Sequence, residues 1–317
     1  MSVVESILMQ KAARLSPRAK VLRLPLPPKA RPPIEIERRY YADLKRMLID
    51  KLDEITRRYL VPALPSILSE AKTDLPTMDS LITRRDNYGR VIDTIFGTMR
   101  VAFARELTDQ EIDEITRKYA SQGQSFNKMT LGKTMTKVLG VDPLVSEPYL
   151  DPIMKQFIDQ NTNLIRSISS DYFDKVQQDT YKHVQAGVYN KEYAKKIKAE
   201  YEQEFQSQFE KGILQKRVTN AEARAKLIAR DQISKYNGQL NQTRQTALGI
   251  TKYRWVTSGD ERVRETHRAK NGKIFDWNNP PSDTGNPGDD YQCRCIAEPV
   301  FDEGVTDNSK LLDLLNS

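Results

Sequence analysis

The 317-residue chain holds two cysteines, two histidines and 14 glycines. So few cysteines exclude a disulfide-stapled scaffold. The shortage of glycine disfavours Gly-rich all-β folds and loops that cradle nucleotides. Long apolar runs are missing as well. The best stretch, Tyr59 to Leu68, is interrupted by Pro62 and Pro65 and is far shorter than the ~20 residues that span a bilayer. The first apolar stretch contains Glu5 and lacks a small-residue cleavage site, so it does not read as a signal peptide. These absences point to a cytoplasm-like place of synthesis and assembly, and to no membrane partner.

What is present is charge. Charged residues make up 29% of the chain and apolar residues 38%, a balance that suits extended, solvated helices better than one thick core. The net charge of +7 is uneven. Residues 1–33 carry Lys11, Arg14, Arg18, Lys20, Arg23, Lys29 and Arg31 against the single acid Glu5, which leaves the remaining body nearly neutral. Six of the 16 prolines fall in the same stretch. Residues 1–33 therefore read as a basic, Pro-rich arm, extended near polyproline II, that meets nucleic acid through phosphates or an acidic protein surface. A solvated leader without a role is the plain alternative.

The periodicity of the body is helical. Residues 34–150 form an N-terminal helical region, with Ile36, Tyr40, Leu44, Leu48, Ile55 and Tyr59 three or four apart before Pro62 and Pro65 end the run. Asp86 to Glu106 gives a second stripe (Val91, Ile95, Met99, Phe103). Thr108 and Glu111 have capping-box spacing for a helix to Tyr119, and residues 121–148 are polar and mixed. Residues 151–249 form a long-helix region. One helix runs to 185 and is broken by Gly187. A four-residue stripe of Tyr193, Ile197, Tyr201, Phe205, Phe209 and Ile213 follows. A third helix is capped by Thr219 and Glu222 and closed by Gly249. Residues 250–300 change texture. Strands at Tyr253–Val256, Lys273–Trp277 and Gln292–Val300 enclose a short helix capped by Ser258 and Glu261. Residues 301–317 are a tail in which Leu311 to Leu315 could add a short helix. The expected fold class is mainly α: long amphipathic helices with a small C-terminal α+β module of three short strands and one short helix.

Several motifs bear on chemistry. Gly132-Lys133-Thr134 resembles the end of a phosphate loop, but Asn127 stands where the loop needs glycine, so an ATPase reading fails. In Cys293-Arg294-Cys295, an extended strand places both sulfurs on one face and strains a disulfide between them. The pair is either reduced core or half of a zinc site. In the second case His267 is the third ligand and Asp260, Asp289 or Asp290 the fourth. Asp260, Arg264 and His267 share one face of the short helix, either as a polar site or as pins for the Pro/Gly loop. Gly285-Asn286-Pro287-Gly288 demands unusual backbone angles.

The run Trp255, Thr257, Asp260, Arg262, Val263, Arg264, His267, Gly272, Phe275, Trp277, Pro280, Pro281, Gly285, Pro287, Gly288, Asp290, Cys293, Arg294 and Cys295 resembles the phage head-morphogenesis family. These are the minor head proteins similar to the F protein of phage Mu. The chain departs from the family twice: at Arg230-Asp231-Gln232, where members often carry Arg-Thr-Glu, and on the short helix, where many carry a CxxC-like pair and this chain has Arg264 and His267, a departure that weighs against zinc. The resemblance implies a virion protein of the phage head, assembled in the host cytoplasm, with portal, capsid or scaffold protein as partners. It implies no enzyme activity and no obligatory cofactor. Packaged DNA is the further partner expected for the arm. The competing expectation is a metal-dependent hydrolase or nuclease built on His267 and the Cys293/Cys295 pair.

Overall fold

The computed structural model describes residues 2–14, 22, 24–73, 87–190 and 198–301. The elements, in order, are α1 (Val3–Ala13), α2 (Ile34–Leu44), α3 (Asp50–Tyr59), α4 (Leu64–Thr73), α5 (Asn87–Glu106), α6 (Asp109–Leu139), α7 (Asp151–Val188), α8 (Lys198–Gln208), α9 (Gln215–Ala247), β1 (Lys252–Val256), α10 (Glu265–Arg268), β2 (Ile274–Asp276) and β3 (Ile296–Val300). The expected class holds: long helices and one small antiparallel sheet of order β2-β1-β3. No helix among the described residues is long and apolar enough to cross a membrane.

The chain forms two compact units built from interleaved stretches. One draws on residues 1–38, 116–159 and 229–317, the other on 39–115 and 160–228. The linear segments expected from the sequence, with boundaries at 150 and 249, therefore do not coincide with the compact units. The reason is that α6, α7 and α9 each contribute residues to both.

In the second unit, α3 and α4 pack on α5, and α4 also meets α8. Phe103 and Phe173 meet edge to face at 5.6 Å. Among the buried polar groups, the Tyr40 hydroxyl donates to Asn161 Oδ1 at 2.9 Å. His183 stacks on Phe205 at 4.1 Å, and its Nε2 lies 3.0 Å from the Phe205 carbonyl oxygen. Burial pushes its pKa down, which marks a core histidine.

Several expectations are corrected here. Residues 1–33 are not extended throughout. α1 has a full capping box, Ser2 with Glu5, and its Val4, Leu8 and Ala12 are buried. Val4 and Leu8 join a core with Leu131, Met135, Val138, Leu139, Leu144, Leu248 and Ile250. All six prolines lie after Ala13, so nothing prevents this helix. Of the arm's basic residues, Lys11 and Arg14 belong to α1 and its C-cap, while Lys29 and Arg31 are exposed and lie outside any helix or strand. Arg18, Lys20 and Arg23 lie outside the described residues, as do Tyr193, Ile197 and Leu311 to Leu315.

Pro62 and Pro65 do not stop the helical run. They sit in first turns, where the missing N–H costs nothing, and turn the chain into α4. On α5 the buried stripe is Ile92, Phe96, Met99 and Phe103. Residues 121–139 are not a mixed connection but the greater part of α6, whose Thr108–Glu111 cap forms as expected. Gly187 is helical, and its bare Cα admits the Phe205 ring, which any Cβ would strike. Thr219 caps nothing: it lies inside α9 and bonds back to the Gln215 carbonyl at 2.9 Å. Gly249, at φ +83°, does close α9.

Candidate functional site

The C-terminal module is built on β1, where alternation buries Tyr253 and Trp255 on one face. Tyr253 pairs with Phe275 of β2, and Trp255 with Ala297 of β3. Their buried cluster includes Trp277, Cys293 and Cys295. The edges differ from those read in the sequence. Cys293, Arg294 and Cys295 lie between a turn at Tyr291–Gln292 and β3, outside any strand, and α10 has four residues, starting at Glu265 and not after Ser258. Asp260 therefore does not share a helix face with Arg264 and His267. It sits in an exposed turn and accepts from the Arg262 backbone N–H at 3.1 Å. Arg264 pairs instead with Asp290 and the Tyr291 carbonyl.

α9 holds the module through buried and part-buried contacts. Gln245, fully buried, donates to the Ala297 carbonyl at 2.9 Å and accepts from Trp277 Nε1 at 3.3 Å. Tyr253 donates to Asn286 Oδ1 at 2.8 Å. Gly285 (φ +64°) and Gly288 (φ +103°) supply the left-handed angles that the loop needs. Pro287 and Gly288 press on α9 at Gly238, where a Cβ would lie 2.6 Å from the Pro287 carbonyl oxygen. Gly272 (φ +80°) closes the turn before β2 and donates to the Trp255 carbonyl at 2.8 Å. Arg294 is anchored by buried Glu37 of α2, which also accepts from Ser234.

Gln292 is the single non-glycine residue among those described with a positive φ, +54°. That strain is held from both sides. Asp231 accepts from its N–H at 2.7 Å, and Arg230 donates to its carbonyl at 3.3 Å. Arg230 and Asp231 of α9 thus fix the residue that precedes Cys293.

His267, Cys293 and Cys295 are all buried, and their ligand atoms lie within 4.8 Å of one another. His267 Nδ1 is 3.4 Å from each sulfur. Nε2 is 3.0 Å from Asp290 Oδ2. Burial opposes ionisation of Asp290, but the His267 contact, the Tyr291 N–H and the Arg264 charge hold its carboxyl below the usual range. A hydrogen bond with Cys295 pulls the Cys293 thiol down against burial, and the same pairing, with burial, drives Cys295 up. Asp289 is used within its own loop, where it accepts from the Asn286 N–H at 2.7 Å. The three residues line a cavity of about 210 Å³ that also touches Arg230, Asp260, Arg262, Arg264 and Arg294.

Sequence reasoning missed a second buried polar centre. Arg244, fully buried, forms a two-point pair with Glu147 at 2.6 and 2.9 Å and donates to Asn127 Oδ1 at 2.7 Å. Asn127 in turn donates to Asn237 Oδ1 at 2.9 Å. Gly132-Lys133-Thr134 lies inside α6, where no phosphate loop exists.

The class is thus a long-helix protein that carries a compact, histidine- and cysteine-centred α+β module on its last long helix. Residues 174–298 match the model of the phage Mu protein F-like family, and the chain is similar to that family over this stretch. The match reaches back from the module through α9 and α8 to the end of α7. An uncharacterised protein of Haemophilus influenzae is 36% identical over 229 residues, which cover 68% of this chain and 46% of that protein. The match therefore spans about half the length of that relative. No solved structure matches the chain.

Proposed function

We propose that this chain is a minor head protein of a tailed bacteriophage, bound at the portal vertex and the inner capsid, which supports head assembly, genome packaging or ejection. The observation that carries the reading is the phage Mu F-like match over residues 174–298. In this reading the chain works as a structural and docking protein without catalysis of its own. In support, the motif residues are engaged in holding the module: Arg264 on Asp290, Arg294 on Glu37, Trp277 on Gln245. The partners are portal, capsid or scaffold protein, and the exposed Lys29 and Arg31 belong to a basic segment suited to packaged DNA.

The test is isolation of assembling heads followed by pull-down on the portal protein. The chain should co-purify at a few copies per head, and heads made without it should be defective. Heads of normal yield and infectivity that lack the chain would defeat the proposal. So would a purified chain that cleaves DNA and loses that activity, but not its fold, in His267→Ala.

A further inference from the structure

Two thiols converge on one imidazole nitrogen. Asp290 at His267 Nε2 fixes the N–H there, which leaves Nδ1 with one lone pair. Both sulfurs lie 3.4 Å from that atom. One lone pair accepts one S–H, so hydrogen bonding accounts for one of the two approaches and leaves the other without a cause. A shared cation accounts for both. Tetrahedral bonds of about 2.05 Å to nitrogen and about 2.3 Å to sulfur place N and S roughly 3.6 Å apart, close to the separations found.

The surroundings point the same way. Apart from His267 Nδ1, the polar groups named at the sulfurs are donors. Cys293 Sγ receives the Cys295 backbone N–H at 3.4 Å and a further backbone contact from Gly288. The Trp255 indole N–H is fully buried, lacks a conventional hydrogen-bond partner and bears on Cys295 Sγ. Such donors suit sulfur carrying negative charge. A carboxylate on the far nitrogen of the imidazole is the arrangement that orients a metal-binding histidine.

We propose that His267 Nδ1, Cys293 Sγ and Cys295 Sγ are three ligands of a zinc ion, with the fourth position open to the cavity and filled by water. Binding releases both thiol protons to solvent, so the ion adds no net charge once the two thiolates are counted. The soft, borderline N/S₂ donor set selects zinc over magnesium or calcium, which want oxygen. The site ties α10 to the stretch before β3, next to the Arg264–Asp290 pair that joins the same two parts. It is independent of the head-protein reading, since any role of the module would use it.

The test uses the full chain, untagged and purified under reducing conditions without chelator. Elemental analysis should find one zinc per chain. Exchange for cobalt(II) should give the visible bands of a tetrahedral site and a near-ultraviolet sulfur-to-cobalt charge-transfer band. Cys295→Ser should weaken that band. Asp290→Asn should keep it but lower metal affinity by about 10–100-fold, because the orienting carboxylate is lost. Cobalt titration of the wild-type chain does not depend on whether the variants fold. A folded chain in which both thiols react freely with a maleimide, and which gives no charge-transfer band with cobalt, overturns the proposal. Zinc bound without that band overturns it too.

Discussion

At the scale of the residue, the buried pair Arg244–Glu147 should govern acid stability. Burial works against ionisation of Glu147, yet its hydrogen bonds to Arg244, with the charges of Arg244 and Lys128, keep its carboxyl below the usual range. A lowered folded-state value means that the stabilisation is complete above the unfolded value of about 4.3 and is lost as pH falls through the folded one. Urea midpoints should therefore drop between about pH 5 and pH 3. Glu147→Gln should flatten that dependence and, by leaving a fully buried guanidinium without its carboxylate, cost about 3–5 kcal/mol at neutral pH. An unchanged midpoint in the variant at pH 7 would show that the pair is idle. Nothing local announces this pair, because its members lie 97 positions apart. The module's residues were legible because each meets a local demand: glycines at φ +64° to +103°, a tryptophan on the buried side of a strand, cysteines two apart.

At the scale of the element, α1 shows how an averaged composition can hide a helix. The prolines of residues 1–33 all follow Ala13, and Val4, Leu8 and Ala12 are spaced four apart on its buried side. Leu8→Ala should cost about 2–5 kcal/mol, the range for deleting a buried leucine. Thermal or denaturant unfolding would measure it, and a loss below about 0.5 kcal/mol, typical of exposed sites, would mean α1 is not docked. The middle of α6 was obscured differently. Its buried positions include Asn127 and Thr134 as well as Leu131 and Met135, so an apolar count finds no clean stripe. The Thr108–Glu111 cap and the Gly249 stop were readable, since both act within one turn.

At the scale of the whole molecule, the basic stretch serves two purposes. Removing residues 1–33 would strip α1 from its core and confound any binding assay. Reversing charge at Lys29 and Arg31, both exposed, avoids that. Lys29→Glu with Arg31→Glu should lower DNA affinity and reduce the slope of log K against log salt by about 2, while the melting temperature stays put. An unchanged slope would move the DNA contact off these residues. The division into units could not be read along the chain, because long helices give up their two ends to different cores and carry no proline or glycine signal at the crossing.

The contact between α1 and the end of α9 has a consequence for synthesis. Val4 donates to the Leu248 carbonyl at 3.3 Å, and Leu8 shares a core with Leu248 and Ile250. On the ribosome, α1 emerges long before those partners, by an interval on the order of tens of seconds at ordinary elongation rates. The unit bounded by residues 39–115 and 160–228 is complete earlier, since all of it precedes Ala229. Maturation is thus ordered: one unit closes while translation continues. The nascent chain meanwhile carries a capped helix whose partners on α6 come early, while Leu248 and Ile250, which complete the cover of its apolar face, come only at the end of α9.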